Sequence, residues 1–241
     1  VRKAFTLVEL LVVIGVIGLL LALLLPTLNR AREISARTAC LSNLRQVYLQ
    51  YQLYALDFGD KVPLGYRTAK QFNSMIYSGT STRQLVLFGW LYAHQTWKDP
   101  RVFYCPSERS PRMQFNTPEN PWPPGPELTS TSNVFSGYAC RPQVKFPDDL
   151  ALFPDPSFTM PKLSDFKNKA ILSDLMNSPP RLDQRHKDGV NVLYGSGSAR
   201  WVDRDAFNAP LSLLPDPAGN PAGFTVWDPT VDAIWQAFDQ Q

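Results

Sequence analysis

Residues 5–26 read FTLVELLVVIGVIGLLLALLLP, and this stretch decides how the rest of the chain is organised. From Leu10 to Leu25 no side chain carries a charge or a hydrogen-bonding group, and the apolar character reaches upstream to Phe5. As an α-helix, the 21 residues from Phe5 to Leu25 are about 31 Å long at ~1.5 Å per residue, close to the ~30 Å hydrocarbon core of a bilayer. The segment can span a membrane. Glu9 stands near its upstream end. A carboxylate in hydrocarbon costs about 2.5–3.5 kcal/mol at the bilayer centre and less toward an interface, so it must be protonated, snorkel or be paired. Glu9 therefore calls for a partner.

The helical pattern does not stop with the apolar run. Leu41, Leu44, Tyr48, Tyr51, Ala55 and Phe58 recur at alternating spacings of three and four, the stripe of an amphipathic helix. One helix from about Phe5 to Phe58, bent near Pro26, is the economical reading. Its length is about 80 Å at ~1.5 Å per residue, too long for a globule of this size to bury throughout. A cleavable secretory signal is the main rival for the apolar run. The run exceeds the ~7–15 residues of a signal core, and the continuing helix opposes that rival.

A short basic leader, Val1-Arg2-Lys3-Ala4, precedes Phe5-Thr6-Leu7-Val8-Glu9-Leu10-Leu11. This arrangement resembles the N-terminus of type IV pilins and type II secretion pseudopilins. The resemblance implies that a prepilin peptidase cuts between Ala4 and Phe5, that the Phe5 amine is N-methylated, and that Glu9 pairs with the Phe5 amine of a neighbouring subunit. It also accounts for Pro26, where pilins carry a helix-kinking proline. The family usually has glycine before the cut, where this chain has Ala4. Subunits then assemble by apolar helix packing, with Gly15 and Gly18 allowing close approach. Arg30, Arg32 and Arg37 downstream outnumber Arg2 and Lys3 upstream, so positive charge alone would put the downstream side in the cytoplasm. The resemblance puts the head outside the cytoplasm, held in the inner membrane by a single pass.

The expected organisation is a leader at 1–4, a transmembrane and filament-core helix at 5–26, its amphipathic continuation at 27–58, and a pilin-like α+β head at 59–241. The composition suits one domain plus an appendage: 241 residues, 44% hydrophobic, with a net charge of +3 too small for a disordered chain. That charge, without a clustered basic stripe, gives no reason to expect nucleic acid. Of the 22 prolines, most fall between Pro100 and Pro180, so proline-rich loops are expected over about 106–165, with polyproline character at Pro121-Trp122-Pro123-Pro124-Gly125-Pro126. A helix is expected from about Ser81 to His94, capped by Ser81 or Thr82, and a brief strand between Asp99 and Pro106. Lys169–Leu175 reads as a strand, and Val190–Tyr194 with Ala199–Asp203 as a hairpin around Gly195-Ser196-Gly197-Ser198, within about 189–203. A last helix starts at Asp228-Pro229 and packs Val231, Ile234, Trp235 and Phe238 on one face.

Three further elements resemble large pilin-like proteins of planctomycete-type bacteria: the run Ala39 to Arg45 (ACLSNLR), Cys105-Pro106, and Arg185 to Tyr194 (RHKDGVNVLY). In that family a second Asp-Gly occupies the following turn, where this chain has Ser196-Gly197. The head carries little that points to chemistry. His186 with Asp188, Asp174 or Asp183 can be imagined as an acid–base pair or metal site, but no HExxH, GxSxG or P-loop pattern occurs, and a structural hydrogen bond at the hairpin entrance is the expected role. His94 is expected at a helix end. Asp148, Asp149 and Asp205 read as solvated loop charges, and Asp216 and Asp228 are too few carboxylates for a calcium site. No cofactor, metal or catalytic residue is expected.

The three cysteines lie too far apart for a CxxC motif or a four-cysteine zinc site. In an oxidising environment a bridge between Cys105 and Cys140, both in the loop-rich region, is expected, with Cys40 left on the helix and the connectivity open. The functional expectation is a structural filament subunit that assembles with copies of itself and with other pilins or pseudopilins. Rivals are a minor pilin that binds a ligand through aromatic loops around Trp97 and Trp122, a plain membrane-anchored periplasmic domain, and an anchored hydrolase using His186.

Overall fold

The computed structural model describes residues 6–67, 73–79, 84–94, 99–122, 132–145, 160–174, 179–214 and 229–241. The expected helix forms as one continuous rod, α1 (Leu7–Asp57), which runs unbroken through Pro26. Its 51 residues extend about 76 Å at ~1.5 Å per residue. The first half stays exposed among the described residues. Every residue from Thr6 to Arg32 is exposed, including Leu11 at 61%, Leu19 at 63% and Leu23 at 64%. The second half turns Cys40, Leu44, Val47, Tyr51, Tyr54 and Ala55 into the head as a buried stripe, with Leu41 and Tyr48 packed at its border.

The head is α+β, as expected. Its centre is a four-stranded antiparallel sheet in the order β5 (Tyr138–Cys140), β7 (Ala170–Asp174), β8 (Gly189–Tyr194), β9 (Ala199–Asp203). The hairpin pairs Val190 with Val202 and Leu193 with Ala199, and β8 pairs with β7 through Ser173↔Val192 and Leu172↔Leu193. Side chains alternate across a strand with period two, and β8 uses both faces. Val190, Val192 and Tyr194 join Ile234, Trp235 and Phe238 of α5 (Pro229–Asp239), together with Leu182 of α3 (Pro179–Gln184), Phe207, and Leu211 of the short helix α4 (Asn208–Leu211). Leu193 faces the other way, into the cluster built on α1. The sheet is thus the middle of three layers, which explains why all of β8 is buried.

A three-stranded antiparallel sheet holds β2 (Met75–Ser78) between β3 (Gln84–Leu85) and β4 (Val134–Phe135), and β1 (Gly65–Arg67) pairs in parallel with β6 (Pro142–Lys145). Thus β4, β5 and β6 all lie inside the proline-rich stretch that reads as loop in the sequence.

Two local expectations are corrected. The helix expected from about Ser81 begins later, as α2 (Phe88–His94). Gln84–Leu85 instead pairs with β2, and Leu87 takes φ +44°, which breaks the chain direction before the helix. Residues 81–83 lie outside the described residues. The strand expected after Asp99 is a 3-10 helix, Pro100–Phe103. Asp99 accepts the Arg101 backbone N–H at 3.0 Å and Pro100 opens the first turn, a pair of helix-start signals that outweighed the β-branched and aromatic residues following them.

Gly197 closes the β8–β9 turn at φ +85°, and a Cβ there would sit 2.4 Å from Cε1 of Tyr48. The Tyr48 hydroxyl donates to Gly195 O at 2.9 Å, so the turn is held against α1 by a ring that leaves no room for a side chain.

Candidate functional site

The N-terminal end of α1 is one place of interest. Thr6 is its N-cap: the Glu9 backbone N–H donates to Thr6 Oγ1 at 3.2 Å, while the Thr6 backbone N–H and hydroxyl donate to Glu9 Oε2 at 2.9 and 2.7 Å. This is a capping box, and its T-x-x-E signature is legible in Thr6-Leu7-Val8-Glu9. Within a single chain Glu9 therefore already has neutral partners. Gly15 and Gly18 open onto empty space, since a Cβ at either would meet nothing within 4 Å. Pro26 lies inside the exposed rod, and Ala4 and Phe5 fall outside the described residues.

The second place is the joint where α1 enters the head. Cys40, the first buried residue of α1, forms a disulfide with Cys105, with Cα atoms 5.1 Å apart and a sequence separation of 65. The expected Cys105–Cys140 bridge is not made. Cys140 sits on β5 with its thiol buried, 3.5 Å from the Tyr51 hydroxyl. The 3-10 helix carries Cys105 to α1, where Asn43 Nδ2 donates to Tyr104 O at 3.0 Å, one turn beyond Cys40. Gly137 completes the approach: a Cβ there would lie 2.7 Å from the Cys105 backbone N.

Burial pushes the Cys140 thiol up to about 12, so it is protonated and unreactive at neutral pH. Native oxidised protein should take up no alkylating reagent, and denatured oxidised protein should take up one equivalent. Peptide mapping should place that label on Cys140; a label on Cys40 would restore the bridge expected from sequence.

His186 lies directly against this disulfide. It leads into β8, is 1% exposed, and approaches Cys105 Sγ through Nε2 at 3.4 Å. Its other nitrogen, Nδ1, donates to Glu33 Oε1 of α1 at 2.5 Å. Nε2 also faces Asp174 Oδ2 at 3.4 Å, from the end of β7. Asp174 Oδ2 accepts the Asn191 backbone N–H at 2.7 Å and its side-chain amide at 3.0 Å. Burial raises the Asp174 carboxyl above its ordinary value, opposed by His186 and by the two Asn191 hydrogen bonds. Trp201 of β9 meets the His186 ring edge-on at 5.7 Å, and the Arg37 guanidinium lies 3.3 Å over the Trp201 ring centroid.

The partners of His186 were only partly legible in the sequence. Asp174 was among the carboxylates considered. Asp188 instead occupies the turn before β8, and Asp183 pairs with Arg204 at 2.5 Å. Glu33 had no signal, because it stands among the charges of an exposed-looking helix segment and acquires meaning only when β8 docks beside it. Asn191 was likewise missed, although a polar residue at the centre of an otherwise apolar strand is the mark of a buried partner. His186 does make a hydrogen bond at the hairpin entrance. At 1% exposure it cannot meet both a substrate and water, so this arrangement does not supply an open hydrolytic base.

Arg185 is buried beside it, donating to Gly137 O at 2.9 Å and pairing with Glu108. Arg45 donates to Ala199 O at 3.3 Å. The runs 39–45, 105–106 and 185–194, far apart in sequence, thus meet where the helix is fixed to the sheet.

Other candidates lie elsewhere. His94 ends α2 and bonds Asp57 at the end of α1, 2.7 Å away. Trp122 stacks edge-on to Tyr92 at 4.9 Å and packs on the core. Asp205 lies in an exposed turn after β9, whereas Trp97, Asp148, Asp149, Asp216 and Asp228 lie outside the described residues.

Comparison with known proteins finds the prokaryotic N-terminal methylation motif over residues 1–25. No curated protein and no solved structure matches the chain. The α1 rod is long and apolar enough at its N-terminal end to cross a membrane. The matched motif and this helix together support a structural protein of the type IV pilin kind, made as a prepilin-type precursor and anchored by a single pass.

Proposed function

We propose that the chain is a subunit of a type IV pilus-like or type II secretion pseudopilus filament, assembled through the N-terminal half of α1. The observation that carries this reading is the conjunction of the methylation motif at residues 1–25 with a helix whose apolar half packs against none of the described residues of the head. An exposed apolar surface of that length is stable only in lipid or against other copies. The same helix serves both states: it stores the subunit in the inner membrane and afterwards forms the filament core. On this reading the head lies outside the cytoplasm, where the Cys40–Cys105 bond is at home. The partners are further copies of the chain, other pilins or pseudopilins, and the prepilin peptidase.

The test is the mass of the mature amino terminus from native cells. Cleavage after Ala4 should leave N-methylated Phe5 as the first residue. A mature chain that retains Val1 to Ala4 would sink the reading.

A further inference from the structure

We propose that Cys40, Cys105, His186 and Asp174 form a tetrahedral site for a thiophilic divalent cation of the zinc class, open to metal when the Cys40–Cys105 bond is reduced. One ligating atom from each of these residues lies within 4.8 Å of the others, and all four residues are buried. In a tetrahedral zinc site with sulfur, nitrogen and oxygen ligands, the ligating atoms stand about 3.3–3.8 Å apart. The two sulfurs need only separate, and the other ligands close in slightly. The four come from four different segments: α1, the turn after the 3-10 helix, the end of β7 and the entrance to β8.

The surrounding hydrogen bonds set up the same chemistry. His186 Nδ1 donates its N–H to Glu33, which turns the lone pair of Nε2 toward Cys105 Sγ and Asp174 Oδ2, both at 3.4 Å. A histidine held by a carboxylate behind it is the usual arrangement of a metal ligand. Reduction adds two thiolates to the Asp174 carboxylate in this dry interior, and a divalent cation held among them offsets that charge.

Asp174 is held in the matching way. Asn191 occupies Oδ2, while Oδ1 is buried with no hydrogen-bond partner among the described residues, leaving free lone pairs on a carboxylate that has one oxygen within 4.8 Å of both sulfurs. A buried carboxylate oxygen without a donor costs free energy that a metal would recover. Arg37, over Trp201, and Arg185, buried beside His186, add positive charge nearby.

The redox step balances with a dithiol as reductant. The dithiol gives two electrons to the S–S bond and becomes a cyclic disulfide, and its two protons pass to Cys40 and Cys105. Both protons leave to solvent when the cation binds the thiolates.

The experiment uses the full chain in detergent, reduced with a dithiol, freed of it without oxygen and titrated with Co2+. Reduced protein should bind one Co2+ per chain, with the visible absorption of tetrahedral cobalt and a near-ultraviolet thiolate charge-transfer band, and Zn2+ should displace it. Oxidised protein should show neither band. His186→Ala and Asp174→Asn should weaken Co2+ binding at least tenfold, and Glu33→Gln, behind the histidine, about tenfold.

The proposal fails if reduced wild-type protein, with its thiols counted as free, gives no such spectrum, or if both ligand substitutions leave the affinity unchanged. Should the substituted chains not fold, the wild-type comparison of reduced with oxidised protein still decides. Should the bond resist reduction, protein synthesised in reducing medium with Co2+ must carry the metal, and a closed disulfide without metal in that material overturns the site. None of these outcomes depends on filament formation.

Discussion

Replacing Glu9 by Gln should abolish filaments while leaving the chain in the membrane at its normal level. The choice of glutamine isolates the charge. Gln, like Glu, completes a capping box, so the Thr6 backbone and hydroxyl keep an acceptor and the helix start is preserved. What disappears is the carboxylate that, on the proposed reading, docks against the terminal ammonium of an adjacent subunit. Pairing that charge in lipid removes a desolvation cost, smaller toward the interface than at the bilayer centre, that otherwise opposes assembly. Electron microscopy of sheared filaments, with immunoblots of the membrane fraction, reads both quantities. Thr6→Ala is the complementary control: it weakens the cap by about 1 kcal/mol and should leave filaments largely intact. Normal filament yield from Glu9→Gln would remove the physical basis of the proposed assembly.

Cys40→Ser should destabilise the head by about 4 kcal/mol, the chain-entropy value for a loop of 65 residues. Cys105→Ser should cost the same, and the double substitution little more, because either change opens one loop. Cys140→Ser should cost far less, since it removes a buried thiol that closes no loop. Denaturant unfolding of the full chain in detergent, followed by tryptophan fluorescence without reductant or added metal, measures all four. If Cys140→Ser proves as costly as Cys105→Ser and Cys40→Ser is neutral, the bond joins the pair expected from sequence instead.

What the sequence revealed and what it hid divide along physical lines. The rod was legible because Leu41, Leu44, Tyr48 and Tyr51 repeat with the helical period, and that period survives whatever the helix packs against. The hairpin was legible because Gly195 to Ser198 separates two alternating runs, and α5 because Ile234, Trp235 and Phe238 share one face. Elements decided by tertiary pairing were not. Gln84 and Leu85 leave a helical window to pair with Ser78 and Tyr77 of β2, while Asp99 and Pro100 start a turn where the following residues favour extension.

The disulfide illustrates the same limit. Cys105 and Cys140 share a compositional region, but a bridge needs Cα atoms within about 7 Å and suitably aimed side chains. Only the docking of the 3-10 helix onto α1 decides that Cys40 is the cysteine within reach. The His186 cluster is hidden for a further reason. Its members lie on α1, β7 and β8, and each reads alone as an ordinary polar residue until the sheet registers Asp174 and Asn191 beneath the helix.

The covalent bond at Cys40 also has a mechanical meaning. Any tension drawn along the rod from the anchored end reaches the globule first at the turn where Cys40 disappears into it. Without a bond there, the rod would peel away one contact after another, in sequence from that turn. With it, the pull passes straight into the backbone beside Cys105, so the part of the rod beyond Cys40 is spared that stepwise peeling.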